Sequence, residues 1–161
     1  MVIDFNWLAT VDRIQGEANE EYSSMPSLHH ELIILDYRTT INFKNQRSLI
    51  KLTQATLKHI FGVKYWECPV QNLCPRVPNR LNYILWINQY VLEKTSRSPE
   101  IRVLDIGTGA TLIYPLLGHK MFKWKFLATE SNADSYQNAC KIINSNDLAD
   151  SIQCFNTPAQ E

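Results

Sequence analysis

Between residues 101 and 156 the hydrophobic pattern switches back and forth between short apolar runs and a helical period. Runs at 101–106, 125–130 and 151–156 predict strands, and the stretches 110–118 and 133–145 between them predict helices. Strand and helix in alternation imply right-handed crossovers and a parallel sheet, hence an α/β fold. Pro115 fits a helix only in its first turn, so the first of these helices is expected to begin late, near Tyr114. That leaves Gly109 to Ile113 as an extended turn whose backbone amides are open to a ligand.

The first hundred residues read differently. Asp4 can cap a short helix with Trp7, Val11 and Ile14 on one face, and the polar, acidic stretch from Gly16 to Ser27 reads as a loop. Residues 31–43 carry the run Leu32, Ile33, Ile34, Leu35 and read as extended. Asn45 caps an expected helix over 46–60, with Leu49, Leu52 or Thr53, Leu57 and Ile60 as its apolar stripe. Lys58 and His59 suit its last turn, and Gly62 suits its end. Residues 63–79, with Pro69, Pro75 and Pro78, are irregular, and Pro78 sits where a helix over about 80–94 should begin. Leu81, Ile84, Leu85, Val91 and Leu92 are that helix's expected core face, and 96–100 is a short connection.

An apolar content of 45% in 161 residues suffices for one sizeable core. No apolar run is long enough to cross a membrane as a helix, and Met1-Val2-Ile3-Asp4 does not open like a secretory signal. The cysteines at 68, 74, 140 and 154 include no Cys-x-x-Cys pair and are expected as buried, reduced thiols in a cytosolic or nuclear protein. His29, His30, His59 and His119 have no ligand-like spacing, so no metal site is expected. The zero net charge conceals a segregation: residues 1–37 carry −6, residues 38–125 carry +10 and residues 126–161 carry −4. The central block either attracts phosphate backbones or is an ordinary solvated surface.

The candidate chemistry lies where the strand Arg102-Val103-Leu104-Asp105-Ile106 runs into Gly107-Thr108-Gly109-Ala110. Glycines at alternate positions let a backbone approach a ligand closely. The next strand, Lys125 to Glu130, ends in a carboxylate that can accept from two ribose hydroxyls. The turn lacks the third glycine that packs a dinucleotide helix against its strand, which favours S-adenosylmethionine (SAM) over a dinucleotide. Asp105 either holds the turn or meets the ligand.

Ile41-Asn42-Phe43-Lys44, the block from Pro75 through Arg80-Leu81-Asn82-Tyr83-Ile84-Leu85-Trp86, and Asp105-Ile106-Gly107-Thr108-Gly109-Ala110 running on to Ile113-Tyr114-Pro115-Leu116-Leu117-Gly118 belong together. With Leu127-Ala128-Thr129-Glu130 they resemble the RNA adenine-N6 methyltransferases of the methyltransferase-like protein 16 family, which includes bacterial ribosomal RNA relatives. The resemblance covers about residues 25–158, and the acidic loop departs from it. It implies a class I (Rossmann-like) SAM-dependent methyltransferase fold, incomplete after the third strand and preceded by a mostly helical N-terminal module. Residues 1–79 would be the RNA-binding module, with the acidic loop at about 15–27, and 80–161 the N-terminal half of the SAM-binding domain. The implied SAM contacts are Arg80, Gly107, Thr111 and Glu130, alongside Asp105 and Gly109 from the turn itself. Arg80 would pair with the methionine carboxylate. Lys44, Arg47, Lys51 and Arg76 are the candidate RNA contacts within the basic block. The implied substrate is U6 small nuclear RNA or a messenger RNA hairpin, with neither DNA nor membrane as partner, in the nucleus or the cytoplasm.

The family's Asn-Pro-Pro-aromatic motif, which orients the adenine amine, has no counterpart here. Asn156-Thr157-Pro158 lacks both the second proline and the aromatic. No catalytic residue is therefore assigned, and methyl transfer by this chain alone is expected to fail, as for a fragment or an inactive isoform. The first strand of the sheet is expected to show an open edge that a partner would cover. Two other functions remain compatible with the sequence: a non-catalytic RNA-binding module, and a methyltransferase acting on a protein or a small molecule.

Overall fold

The structure, a computed structural model, describes residues 32–35, 38–92 and 100–158. The expected helix near Asp4, the acidic loop and most of the 96–100 connection lie outside the described residues. The extended stretch is two strands, β1 (Leu32–Leu35) and β2 (Arg38–Ile41), paired antiparallel with Leu32 opposite Ile41.

Helix α1 (Gln46–Phe61) forms where its caps dictate. The Asn45 side chain accepts from the amides of Arg47 at 2.8 Å and Ser48 at 3.3 Å. Gly62, at φ 62°, closes the other end in the left-handed conformation. An irregular strap over 63–76 leads to α2 (Val77–Trp86), which starts three residues earlier than the sequence suggests because Pro78 occupies its first turn. Its last part, Ile87–Leu92, winds as a π-helix. Leu81 and Ile84 are buried as expected, and Leu85 is half-buried.

The second half is the alternating unit: β3 (Arg102–Ile106), α3 (Ile113–Phe122), β4 (Lys125–Glu130), α4 (Ala133–Ser145) and β5 (Ile152–Asn156). The strands form a parallel sheet in the order β3-β4-β5, with Leu104 beside Leu127 and Phe126 beside Ile152. The late helix start holds, at Ile113, but α3 runs four residues past Gly118. The sequence pattern places the end of this helix near 118. Gly118 lies inside it as a packing site, because a Cβ placed there would lie 2.5 Å from the Phe126 ring and 2.9 Å from that of Trp124.

One core joins both halves of the chain. Leu57 and Phe61 of α1, Trp66 of the strap, Leu81 and Ile84 of α2, and Leu116, Leu117, Phe126, Ala128, Ile142 and Ile152 around the sheet belong to a single buried cluster. Helices α3 and α4 pack on the sheet face that carries Phe126, Ala128 and Ile152. The opposite face carries Leu104, Ile106, Leu127 and Phe155, and among the described residues nothing covers it: Ile106 is 78% exposed and Leu104 59%. Strand β3 likewise has a single partner among the described residues, β4. Helices on one face and bare apolar side chains on the other leave a doubly wound sheet half dressed.

Candidate cofactor site

The turn after β3 is held from β4. The Thr129 carbonyl accepts from the amides of Gly107 at 2.9 Å and Thr108 at 2.8 Å. One residue on, the Glu130 carboxylate takes over: Oε2 accepts from the Gly109 amide at 2.8 Å and Oε1 from the Asn132 amide at 2.9 Å. Glu130 is buried, so these bonds fix its head group against the turn. Each carboxylate oxygen keeps lone pairs for further donors, and a pair of ribose hydroxyls would suit them.

Both turn glycines are in the left-handed region, Gly107 at φ 73° and Gly109 at φ 71°. A Cβ added at either would meet nothing within 4 Å, so the turn opens onto space rather than packed protein. Beneath it Asp105 Oδ2 and Thr108 Oγ1 are buried and have no hydrogen-bond partner among the described residues. Burial lifts the Asp105 carboxyl above its ordinary value. Two orphaned polar atoms, an open glycine cradle and a fixed carboxylate are what a bound adenosine derivative needs. SAM fits the site.

Arg80 arrives from a different element. From the first turn of α2 it lies over the Tyr114 ring, 5.6 Å from its centroid, and donates to the Tyr114 hydroxyl at 3.2 Å. Tyr114 is the second residue of α3, so this cation is tied to the helix that follows the turn. Thr111 is buried in the turn, and its carbonyl accepts from the Trp66 indole at 2.9 Å. Asp105, Gly107, Gly109 and Glu130 thus meet at the turn, with Thr111 buried in its second half and Arg80 joined to Tyr114 just beyond it. Trp66 and Asn138, which donate to the turn's carbonyls, carry no signal of their own in the sequence, whereas Tyr114 stands in the run from Ile113 to Gly118.

The four candidate RNA contacts are all exposed. Lys44, Arg47 and Lys51 follow one another along the start of α1. Arg76 lines a cavity of about 310 Å3 with Phe43, Leu49, Leu52 and Val77. Cys68 and Cys74 are buried free thiols, and no helix among the described residues is long and apolar enough to cross a membrane.

A parallel β3-β4-β5 order, a Gly-x-Gly turn after the first strand and an acid ending the second define a class I, Rossmann-like methyltransferase fold. Comparison with known proteins gives the particular branch. A family model described as RNA methyltransferase matches residues 17–161. The chain belongs to that RNA methyltransferase family. It is 37% identical over 109 residues to ribosomal RNA large subunit methyltransferase F of Shewanella sp. (strain MR-4), covering 66% of this chain and 30% of the relative. It is 39% identical over 130 residues to the RNA N(6)-adenosine-methyltransferase METTL16 of Homo sapiens, covering 80% of this chain and 23% of that protein. The N-terminal domain of human METTL16 in complex with S-adenosylhomocysteine (SAH) superposes with a TM-score of 0.76 at 37% identity, over 87% of this chain and 54% of that one. The METTL16 catalytic domain in complex with a MAT2A 3′UTR hairpin gives 0.74 at 35% identity, over 86% and 48%. The chain therefore spans a third or less of these curated relatives and about half of the solved domains.

Proposed function

We propose that this chain is the cofactor-binding part of an RNA adenosine N6-methyltransferase, with SAM as the methyl donor. The observation that carries the reading is the turn held to Glu130 through the Gly109 amide, over the orphaned Asp105 and Thr108. Bound SAM supplies a methyl group on a positive sulfur. The protein's own part is to fix the two ends of that molecule: Glu130 accepts from the ribose hydroxyls, and Arg80 meets the carboxylate. Asp105 and Thr108 complete the floor.

Residues 1–79 are proposed as the RNA-binding module and 80–161 as the cofactor-binding half. Lys44, Arg47, Lys51 and Arg76 supply phosphate contacts from the +10 block over residues 38–125. Human METTL16 has been solved on messenger RNA hairpins, and a folded hairpin or U6-like RNA in the nucleus is the substrate proposed here. The bare face of Leu104, Ile106, Leu127 and Phe155 asks for a covering layer, either more of the same polypeptide or a partner. That layer is where an adenine-orienting motif would enter. Without it the chain binds RNA and cofactor but transfers no methyl group, and the absence of Asn-Pro-Pro-aromatic favours that outcome for this stretch alone.

Transfer of labelled methyl from SAM to a U6-like hairpin separates the readings. The chain alone should leave the RNA unlabelled, and addition of a segment carrying the missing strands and motif should restore label at N6 of adenosine. Label appearing in protein while RNA stays unlabelled would overturn the RNA assignment.

A further inference from the structure

The glycine turn packs three left-handed residues into six positions, Gly107, Gly109 and Leu112, the last at φ 52° without the freedom of glycine. Such a turn keeps its shape only if the surroundings hold it. From the inside it is held by Thr129 and Glu130, but Glu130 is also the group offered to the ligand. The second half of the turn, 110–112, is held from the outside. Asn138 of α4 donates to the Ala110 carbonyl at 2.7 Å, and Trp66 of the strap donates to the Thr111 carbonyl at 2.9 Å.

Both donors are themselves anchored. The same Asn138 amide donates to the Glu67 carbonyl at 3.1 Å, joining α4, strap and turn at one group. Two residues before Glu67, the buried Asn146 amide donates to the Tyr65 carbonyl at 2.6 Å and accepts from the Lys64 amide at 2.7 Å. Lys141 pairs with the Glu67 carboxylate at 3.0 Å. The indole of Trp66, 5% exposed, has its N–H fully committed to Thr111.

Peptide planarity turns these two bonds into aim. No peptide bond among the described residues is cis, so each amide N–H of the turn points opposite to the carbonyl of the residue before it. Holding the Ala110 and Thr111 carbonyls on Asn138 and Trp66 therefore turns the Thr111 and Leu112 amides away from the strap. We propose that Trp66 and Asn138 are positioning residues that set the 110–112 part of the turn to receive the amino-acid end of the bound sulfonium compound. The assignment rests on the cofactor reading above. Neither residue touches the ligand; each acts through a backbone carbonyl of the turn.

The test titrates two ligands into the full chain and its Trp66→Phe and Asn138→Leu variants. SAH carries the amino-acid end; 5′-methylthioadenosine is the same nucleoside without it. Each variant should lose about three- to ten-fold in SAH affinity, the worth of one hydrogen bond, while 5′-methylthioadenosine stays within about twofold. Equal losses for both ligands would reduce the pair to general scaffolding and overturn the proposal, as would no loss for either. Should Trp66→Phe lose its cooperative melt, Asn138→Leu carries the same comparison from the other side of the turn. A wild-type chain that binds neither ligand would overturn the cofactor reading itself, and this assignment with it.

Discussion

The Gly109 amide donates to Glu130 Oε2 at 2.8 Å, so the tip of the glycine turn is tied to the carboxylate that ends the neighbouring strand. One bond thereby sets both the shape of the turn and the position of its acid. The acid is buried and needs the donor, while the turn sits in a left-handed conformation and needs the anchor.

Gly109 and Gly118 should respond to alanine for different reasons. At Gly109 the added methyl meets open space, and the cost is the left-handed backbone, about 1–2 kcal/mol. At Gly118 the backbone is helical and the cost is overpacking against Phe126 and Trp124, about 1–3 kcal/mol. Chemical denaturation measures both. Pairing Gly118→Ala with Phe126→Leu should recover part of the loss, whereas Gly109→Ala should gain nothing from that second change.

Asp105 gives a pH signature. Burial raises its folded pKa above the ordinary 3.8, so the folded chain holds that proton more tightly than the unfolded one. The contribution of Asp105 to stability is therefore largest below 3.8 and falls as pH rises through the lifted value. Asp105→Asn removes the titration. Its melting temperature should exceed that of the wild type at pH 7 to 8, and the gap should narrow as pH falls toward 4, read by thermal melts across that range. A gap independent of pH would contradict the assignment.

Much of this was legible in the sequence, and the failures have physical causes. The limits of β4 and α4 match the pattern because period and capping are local: Asn132 accepts from the Ser135 amide, and Glu130 closes the strand before it. The turn glycines and Glu130 were legible for the same reason. The split between β1 and β2 was not, since Leu32 to Leu35 is a continuous apolar run with no alternation to reveal a reversal. Nor was the end of α3, expected near 118, whereas the helix runs to Phe122 with Gly118 packed against the rings of Trp124 and Phe126. The grip of Trp66 and Asn138 joins residues 45 and 28 positions apart, a distance at which periodicity says nothing.

Arg80→Lys should weaken SAH binding about tenfold, because an ammonium can neither lie flat on Tyr114 nor fork onto a carboxylate. Isothermal calorimetry reads the loss, and 5′-methylthioadenosine serves as the control that should not change.

The basic residues predict a salt effect. Replacing Lys44, Arg47, Lys51 and Arg76 together by alanine should lower RNA affinity and flatten the dependence of log K on log salt by about three units of slope. Filter binding of a hairpin RNA across salt concentrations measures both. An unchanged slope would make the basic block a plain solvated surface.

The most direct test is calorimetric titration of SAH into the full chain, beside its Glu130→Gln variant. Binding by the wild type, with affinity about ten- to a hundredfold weaker once the charged acceptor is gone, is the expected result. A wild-type chain that binds no SAH, or a Glu130→Gln variant that binds it equally well, would contradict the claim that the Gly109–Glu130 turn holds the methyl donor.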